Sequence, residues 1–236
     1  MDYKDLQAGN TSDYFWFKGK TDLIHTFMKQ KFGERKDLKI LNIGAGTGDD
    51  LQILNKFGTN YVVDIDANAL AMIDPSLCAE KIQADACALP YAENYFDVVI
   101  SCDCFEHIEN DLKAIAETHR VIKKGGLLIF TVPAFQSLYS SHDKALDHYR
   151  RYNKTSLGEA MAIFSKKRFF FWNTIMFPAA ALSRMLRKNA PPKVDNPKTG
   201  AFLNAIMFRI LQVDNFLIKK NLSLPAGLSI VGYCYK

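Results

Sequence analysis

The sequence predicts an α/β protein with a doubly wound, mostly parallel sheet, and three observations support this fold class. Apolar segments of strand length alternate with helical segments from residue 39 to residue 132, which is typical of parallel strands joined by right-handed crossovers. The segment Tyr95–Ser101 is almost continuously apolar, as expected of a strand buried on both faces. A glycine-rich turn follows the first strand segment, and 236 residues suit a single domain of this kind.

The first part of the chain contains five predicted strands with helices between them. Asp66 is suitably placed to cap a helix over Ala67–Ile73, and apolar residues recur on one face of a helix over Glu109–Ile122. A further helix is predicted over Asp49–Lys56. The predicted strands are Lys39–Ile43, Asn60–Ile65, Lys81–Gln83, Tyr95–Ser101 and Leu127–Val132.

The pattern changes after Pro133. Residues 134–153 are predicted to form a long polar and aromatic loop, and a loop of that length is usually functional or disordered. Its histidines and aromatic residues argue against disorder. The elements predicted after this loop are a helix over Thr155–Phe164, a strand over Arg168–Trp172, helical stretches at Phe177–Leu186 and Phe202–Ile218, and a strand over Ser229–Tyr235.

Polar residues gather at the carboxyl ends of the predicted strands. Gly44–Gly48 has the spacing G-x-G-x-G, which suits a tight turn without a ligand but also one whose N–H groups face a ligand. Asp64 ends the second strand, 20 residues after Gly44, where a carboxylate can accept both hydroxyls of a ribose. Asp85 and Cys102 follow the next two strands. Because ligands of open parallel sheets bind at these ends, we predict a ligand site there.

Charge is divided unevenly along the chain. Residues 1–134 carry 14 basic and 20 acidic side chains, whereas residues 135–236 carry 16 basic and 5 acidic ones. The basic half indicates an anionic partner, for which a phosphorylated substrate, a nucleic acid and a membrane surface are the candidates. Five cysteines without a C-x-x-C pair, and ten initial residues without an apolar signal segment, predict a cytoplasmic protein with reduced thiols.

Two apolar segments each allow two interpretations. The aromatic run Tyr14–Phe17 either anchors a helix on the sheet or contributes to a lid over a ligand. The segment Phe169–Leu182 is too short and too interrupted to span a bilayer. It is either a core helix or, because Arg184, Arg187 and Lys188 follow it, a helix that lies on a membrane surface.

Taken together, the motifs resemble those of class I S-adenosylmethionine-dependent methyltransferases, in the small-molecule, methyltransferase type 11-like branch. The resemblance is strongest from Lys39 to Val132. It implies a Rossmann-like sheet of seven strands with an antiparallel last strand, S-adenosyl-L-methionine as cofactor and S-adenosyl-L-homocysteine as product. The matching segments, in the family's order, are L-N-I-G-A-G-T-G-D, V-V-D-I-D, Q-A-D-A-C-A-L-P, F-D-V-V-I-S-C-D-C-F-E-H-I and R-V-I-K-K-G-G-L-L-I-F.

The resemblance also implies roles for residues at the strand ends. The glycine turn would approach the methionine part of the cofactor, and Asp64 would hold the ribose. Ile65 would pack on the adenine, Asp85 would accept from its amino group, and Cys102 would lie near the sulfonium. The residues implied to bind the cofactor are Gly44, Ala45, Gly46, Gly48, Asp64, Ile65, Asp85, Ala86 and Cys102.

The family's topology implies one domain over residues 1–236 with three additions. Residues 1–38 would form an aromatic and helical lid, residues 134–153 an active-site loop, and residues 173–222 a helical cap between the last two strands. The later half resembles a subgroup with an H-D-x-x-x-x-H-x-R-R-Y-like loop and an L-F-P-like apolar segment. In this chain these segments read H-D-K-A-L-D-H-Y-R-R-Y and I-M-F-P. That similarity does not identify a substrate.

Methyl transfer from a sulfonium is an in-line displacement of an activated leaving group, so the protein mainly positions the nucleophile. An oxygen nucleophile often also needs a base, and histidine suits neutral pH. The candidate catalytic residues are therefore His107, His142 and His148. Each could instead be structural: His107 could pack beside Phe105, and His148 could hold the loop.

Arg150, Arg151 and the adjacent Tyr152 are the candidate substrate-binding residues. Paired arginines suit a carboxylate or phosphate, and the alternative is a surface pair beside the next helix. No metal site is predicted, because the spacing of His142, Asp143 and His148 matches no familiar site type.

We therefore predict a methyltransferase for a small, anionic or lipid-linked acceptor, in a cytoplasmic protein that could also contact a membrane surface. The alternatives are a nucleic-acid methyltransferase, a non-catalytic protein that binds the cofactor or its product, and a peripheral membrane protein. Nucleic acid is the weaker partner, because no D-P-P-Y-type stretch follows Ser101 and the aromatic residues are not interleaved with basic ones. The sequence does not predict an oligomeric state.

Overall fold

The structure, a computed structural model, describes residues 13–186, 190–192 and 200–236. Some of the sequence predictions lie outside the described residues. These are residues 1–12 of the predicted lid, the basic residues Arg187 and Lys188, and residues 193–199 of the predicted cap.

Seven strands form one sheet. They are β1 (Leu38–Ile43), β2 (Gly58–Asp64), β3 (Glu80–Gln83), β4 (Phe96–Cys102), β5 (Ile122–Pro133), β6 (Lys166–Trp172) and β7 (Ser229–Tyr235). Their order is β3-β2-β1-β4-β5-β7-β6. Pairs among β1 to β5 are parallel, whereas β7 is antiparallel to both β5 and β6. This topology confirms the predicted seven-stranded, mostly parallel sheet with an antiparallel last strand.

The described residues form eight α-helices. They are α1 (Phe15–Phe32), α2 (Leu51–Leu54), α3 (Ala67–Met72), α4 (Asp111–Val121), α5 (Ser141–Ala145), α6 (Lys154–Ala160), α7 (Phe177–Leu186) and α8 (Ala201–Lys219). Asp66 caps α3 by accepting from the Asn68 N–H at 2.8 Å, in agreement with the expected helix start. The helix expected over Asp49–Lys56 is shorter, because turns extend from the glycine segment as far as Asp50.

Apolar side chains cover both faces of the sheet, which explains its nearly continuous apolar strands. Along β4, Val99 packs in the cluster on one face, whereas Val98 and Ile100 pack in the cluster on the other. The aromatic run at the start of α1 joins the second cluster, with the ring of Trp16 centred 4.9 Å from that of Trp172. This packing favours the interpretation of the aromatic run as an anchor.

Helices α7 and α8 lie in the chain between β6 and β7. Buried polar contacts attach α8 to the domain: Asp214 accepts from the Thr174 N–H at 2.7 Å, and Asn215 donates to the carbonyl oxygen of Gly19 at 2.9 Å. A β-carbon on Gly19 would lie 2.5 Å from Leu211, so α1 and α8 pack closely. The insertion is therefore fixed to the N-terminal helix as well as to the sheet.

The outward face of α8 is apolar. Phe202 is 81% exposed and Phe216 is 57% exposed. By length and composition α8 could cross a membrane, and 22% of its most apolar window is buried, which by itself is a weak indication of a span. The apolar segment Phe169–Leu182 is not one helix, because its first residues complete β6 and its last ones belong to α7.

Candidate active site

A cavity of about 660 Å³ lies at the carboxyl ends of β1 to β4. The strand order reverses direction between β1 and β4, and such a switch point leaves a crevice between the loops that follow the two strands. The structure brings together six of the nine residues predicted to bind the cofactor. The six that line the cavity are Gly44, Gly46, Asp64, Ile65, Asp85 and Ala86.

The glycine turn owes its shape to backbone conformations that favour glycine. Gly44 has a φ of +67°, and a β-carbon there would lie 2.6 Å from Cys104 Sγ. Gly48 has a φ of +77°, and a β-carbon there would lie 2.8 Å from the side chain of Leu51. Ala45 and Gly48 belong to the turn but not to the cavity wall, and the Gly48 N–H donates to the Ala45 carbonyl oxygen at 2.9 Å.

Asp64 is held rigidly at the end of β2. One carboxylate oxygen accepts from the Gly46 N–H at 3.0 Å, and the other accepts from the Asp66 N–H at 2.9 Å. Each oxygen keeps a lone pair that can accept a ligand hydroxyl. The glycine turn and Asp64 therefore form one preorganised unit.

The end of β3 supplies a second polar group, and the end of the neighbouring β2 supplies an apolar surface. Asp85 accepts from the Cys87 N–H at 2.8 Å, which fixes its carboxylate beside Ala86. Ile65, which follows β2, is 70% exposed in the cavity although it is a large apolar residue. An exposed isoleucine beside a fixed carboxylate suits a flat ring with a hydrogen-bond donor at its edge.

Cys102 differs from its prediction, because its side chain does not line the cavity. Along β4 it shares a face with Val98 and Ile100 and packs in the core, with 5% exposure. Asp103 then adopts a φ of +49°, and this turn directs Cys104 toward the cavity. Asp103 and Cys104 therefore occupy the position that was expected for Cys102.

Asp103 is a cavity residue that the sequence did not identify. The buried Lys20 donates to one of its carboxylate oxygens at 2.6 Å, and the Thr131 hydroxyl donates to the other at 2.7 Å. Burial alone would raise the pKa of Asp103, but the Lys20 ammonium outweighs burial and holds this pKa well below its usual range. The carboxylate is therefore ionised at neutral pH.

The loop over residues 134–153 is ordered by a buried carboxylate. Asp143 is fully buried in α5 and accepts from the Ser140 N–H at 2.9 Å and from Arg151 Nε at 2.7 Å. His148 Nδ1 lies 2.9 Å from the same carboxylate, which makes Nδ1 the donor. Although burial lowers the pKa of His148, hydrogen bonding to Asp143 raises it on balance.

Two of the three candidate histidines meet beside the cavity. The ring of His107 lines the cavity, and its centre lies 4.5 Å from that of His148. Glu106, which the sequence did not identify, lies beside them with 1% exposure, and burial raises its pKa to about 8. His142 does not line the cavity, and burial together with Arg184 lowers its pKa to about 3, so its imidazole is neutral.

The three residues predicted to bind substrate have structural contacts instead. Arg150 pairs with Asp111 at 2.5 Å, and the Tyr152 hydroxyl donates to the same carboxylate at 2.7 Å. Arg151 is 5% exposed and is held by the buried Asp143. None of the three lines the cavity. Arg150 and Tyr152 hold the loop against α4, whereas Arg151 holds it together from within. Tyr149, which is 54% exposed, borders the cavity.

Comparison with known proteins gives a consistent result. Residues 41–130 match the family model described as "Methyltransferase domain". An uncharacterized protein of Methanocaldococcus jannaschii is 35% identical over 113 residues, which is 48% of each chain. The ubiquinone/menaquinone biosynthesis C-methyltransferase UbiE of Erwinia tasmaniensis is 29% identical over 186 residues, which cover 67% of this chain and 72% of that protein. For the first three curated relatives the match spans 48%, 72% and 56% of their length.

Solved structures show the same fold at low sequence identity. A SAM-dependent methyltransferase from Archaeoglobus fulgidus aligns with a TM-score of 0.58 at 15% identity, over 94% of this chain and 99% of that one. Phosphoethanolamine N-methyltransferase 2 of Haemonchus contortus, in complex with S-adenosyl-L-methionine, aligns with a TM-score of 0.60 at 18% identity. That alignment covers 92% of this chain and 52% of that one.

Proposed function

Because the chain carries a methyltransferase domain of the class I S-adenosylmethionine-dependent family, we propose that it transfers a methyl group from S-adenosyl-L-methionine to a small or lipid-linked acceptor. The observation that carries the proposal is the pairing of the Gly44–Gly48 turn with the fixed carboxylate of Asp64 in one cavity. The volume of about 660 Å³ lies within the range of small-molecule sites.

The cofactor would lie across the strand ends. Its methionine part would follow the glycine turn, its ribose hydroxyls would donate to Asp64, and its adenine would lie on Ile65 with its amino group toward Asp85. The methyl group would then point toward the side of the cavity formed by His107 and Tyr149. The protein's main contribution would be to hold the acceptor in line with the carbon–sulfur bond.

Removing the charge of Asp64 is expected to weaken binding of S-adenosyl-L-homocysteine. In Asp64→Asn the site keeps its shape but loses charge-assisted hydrogen bonds to the ribose, so we expect the Kd to rise by about 10- to 100-fold. Calorimetry measures the Kd of S-adenosyl-L-homocysteine. Asp74→Asn is the matched control, because Asp74 caps a short helix outside the cavity. Absence of wild-type binding at millimolar ligand would remove the cofactor assignment.

The acceptor is proposed to be anionic or lipid-linked on the basis of the second half of the chain. The insertion exposes apolar side chains that a small-molecule enzyme does not require in water, and basic residues flank them. The name of the Erwinia tasmaniensis relative refers to ubiquinone and menaquinone, which supports an apolar acceptor as the substrate of this chain. The exposed apolar residues are Leu182, Met185, Leu186, Phe202 and Phe216, and the basic residues near them are Arg209 and Lys219 on α8 and Lys220 directly after it.

Such a surface is expected to bring the protein to anionic vesicles. We expect the wild-type chain to co-sediment with vesicles that contain anionic lipid at low salt, and less at high salt because salt screens the basic residues. Phe202→Asp combined with Phe216→Asp should reduce the bound fraction severalfold. Leu112→Asp serves as control, because Leu112 is 59% exposed on α4, outside this face. Wild-type protein that stays in the supernatant at low salt would contradict membrane contact.

A further inference from the structure

We propose that Glu106, His107 and His148 form a binding site for one divalent transition-metal cation at the acceptor end of the cavity. One ligand atom from each of the three side chains lies within 4.8 Å of the others. Two imidazoles and one carboxylate form a donor set that suits Mn²⁺, Fe²⁺ or Zn²⁺. It suits Mg²⁺ less well, because Mg²⁺ prefers oxygen ligands only. The sequence predicted no metal site, because the spacing of His142, Asp143 and His148 matches no familiar site type, and of these three residues only His148 belongs to the cluster.

Glu106 provides an independent indication of a ligand. Its side chain is 1% exposed, and Oε2 is fully buried without a hydrogen-bond partner among the described residues. Buried polar atoms are nearly always paired, and an unpaired buried carboxylate oxygen is costly. A cation bound between this oxygen and the neighbouring imidazoles would supply the missing partner.

His148 is oriented as a metal-binding histidine. Its Nδ1 donates to Asp143, which leaves Nε2 as the nitrogen that can bind a cation. In metal sites a carboxylate commonly accepts from the second ring nitrogen in this way, which fixes the tautomer and raises the basicity of the ligand. Asp143 is itself held by Arg151 and Ser140, so the orientation of His148 is set before any cation binds.

The third ligand has room to adjust. Ligand distances of about 2.1 Å place tetrahedral ligand atoms roughly 3.4 Å apart, so any pair of ligand atoms farther apart than this would have to approach on binding. His107 is partly exposed on the cavity wall, whereas Glu106 and His148 are buried, and His107 is therefore the ligand that moves. Because His107 lies on the cavity wall, a cation held by the three side chains would lie at the edge of the cavity.

The role of the cation rests on the proposed function, and it specifies an acceptor with a hydroxyl group. That hydroxyl would bind at an open position, where the cation favours loss of its proton to solvent water. The oxygen lone pair then forms the oxygen–carbon bond while the carbon–sulfur bond breaks and its electron pair stays on sulfur. His107 and His148 would thus act as ligands and not as free bases.

The test is a titration of the EDTA-treated and desalted full chain with MnCl₂, followed by calorimetry and electron paramagnetic resonance. We expect one Mn²⁺ per wild-type chain with nitrogen couplings from two imidazoles. Glu106→Gln and His107→Asn should each weaken binding by about tenfold or more. His119→Gln is the control. His119 lies on α4 and packs against Phe164, so this substitution should not change the Kd of Mn²⁺.

Each result has a defined meaning. Failure of wild-type protein to bind Mn²⁺ or Zn²⁺ stoichiometrically overturns the proposal, and so does equal binding by wild type and both ligand variants. Circular dichroism and S-adenosyl-L-homocysteine binding of the same samples show that the variants are folded. Binding of S-adenosyl-L-homocysteine without metal binding would leave the methyltransferase proposal intact, whereas metal binding without binding of S-adenosyl-L-homocysteine would contradict that proposal alone.

Discussion

Asp143→Ala is expected to destabilise the protein by about 3–5 kcal/mol, because it leaves a buried arginine without its carboxylate. Asp143 is fully buried and holds Arg151 Nε at 2.7 Å and His148 Nδ1 at 2.9 Å. Arg151 keeps one bond, from Nη1 to the Ala134 carbonyl oxygen at 3.1 Å, which cannot neutralise its charge. The cost of the substitution is therefore mainly an unpaired buried charge.

Urea denaturation followed by circular dichroism measures this effect as a lower midpoint at an unchanged slope. Asp147→Asn is the control from the same loop. Asp147 is exposed and has a φ of +56°, a conformation that asparagine tolerates, so the free energy of unfolding should change by less than about 0.5 kcal/mol. Equal midpoints for Asp143→Ala and Asp147→Asn would show that the buried contacts do not stabilise the loop.

Gly44→Ala is expected to destabilise the protein by about 2–4 kcal/mol and to abolish measurable binding of S-adenosyl-L-homocysteine. Two physical causes add. The φ of +67° is strained for any residue with a β-carbon, and that β-carbon would lie 2.6 Å from Cys104 Sγ. Relief of the clash requires the turn or Cys104 to move, and both line the cavity.

Gly33→Ala separates the two causes. Gly33 has a φ of +61°, but a β-carbon there would have no heavy atom within 4 Å. We expect Gly33→Ala to cost only about 1 kcal/mol, with unchanged affinity for S-adenosyl-L-homocysteine. Thermal denaturation and calorimetry of both variants give the comparison. The steric explanation is lost if the two substitutions destabilise the protein equally and leave binding equally intact.

The sheet and the strand-end residues that line the cavity follow from the sequence because their signals are local. Each buried strand shows its own apolar run, and each strand end shows its own polar residue. Gly44 and Asp64 were identified from their types and spacing, and backbone N–H groups near each in the chain complete their geometry.

Cys102 was assigned to the cavity because the turn after β4 has no local signal. Asp103 adopts a positive φ that glycine usually signals, and the ion pair with Lys20 that holds it joins residues 83 positions apart. No spacing rule predicts such a contact. The residues that line the cavity, Asp103 and Cys104, lie one and two positions after Cys102, whose side chain packs in the core.

The residues proposed for the acceptor side of the cavity were harder to predict from the sequence for a related reason. Arg150 and Arg151 have the composition of a surface anion site, but their partners Asp111 and Asp143 lie 39 and 8 positions away and turn both side chains inward. Burial in three dimensions also separates Glu106 from Glu109, which follows it closely in the sequence and is exposed. The sequence shows the chemical type of these residues, but their burial and their partners depend on tertiary packing.

The position of β7 has a consequence for synthesis of the chain. β6 pairs with no strand except β7 among the described elements, so it cannot join the sheet until residues 229–235 have left the ribosome. Until then, one edge of β5 and the whole of β6 lack a partner strand, and β6 contains the aromatic sequence Phe169–Trp172. Lys166, Lys167 and Arg168 precede that sequence, and charges so placed oppose edge-to-edge association between nascent chains.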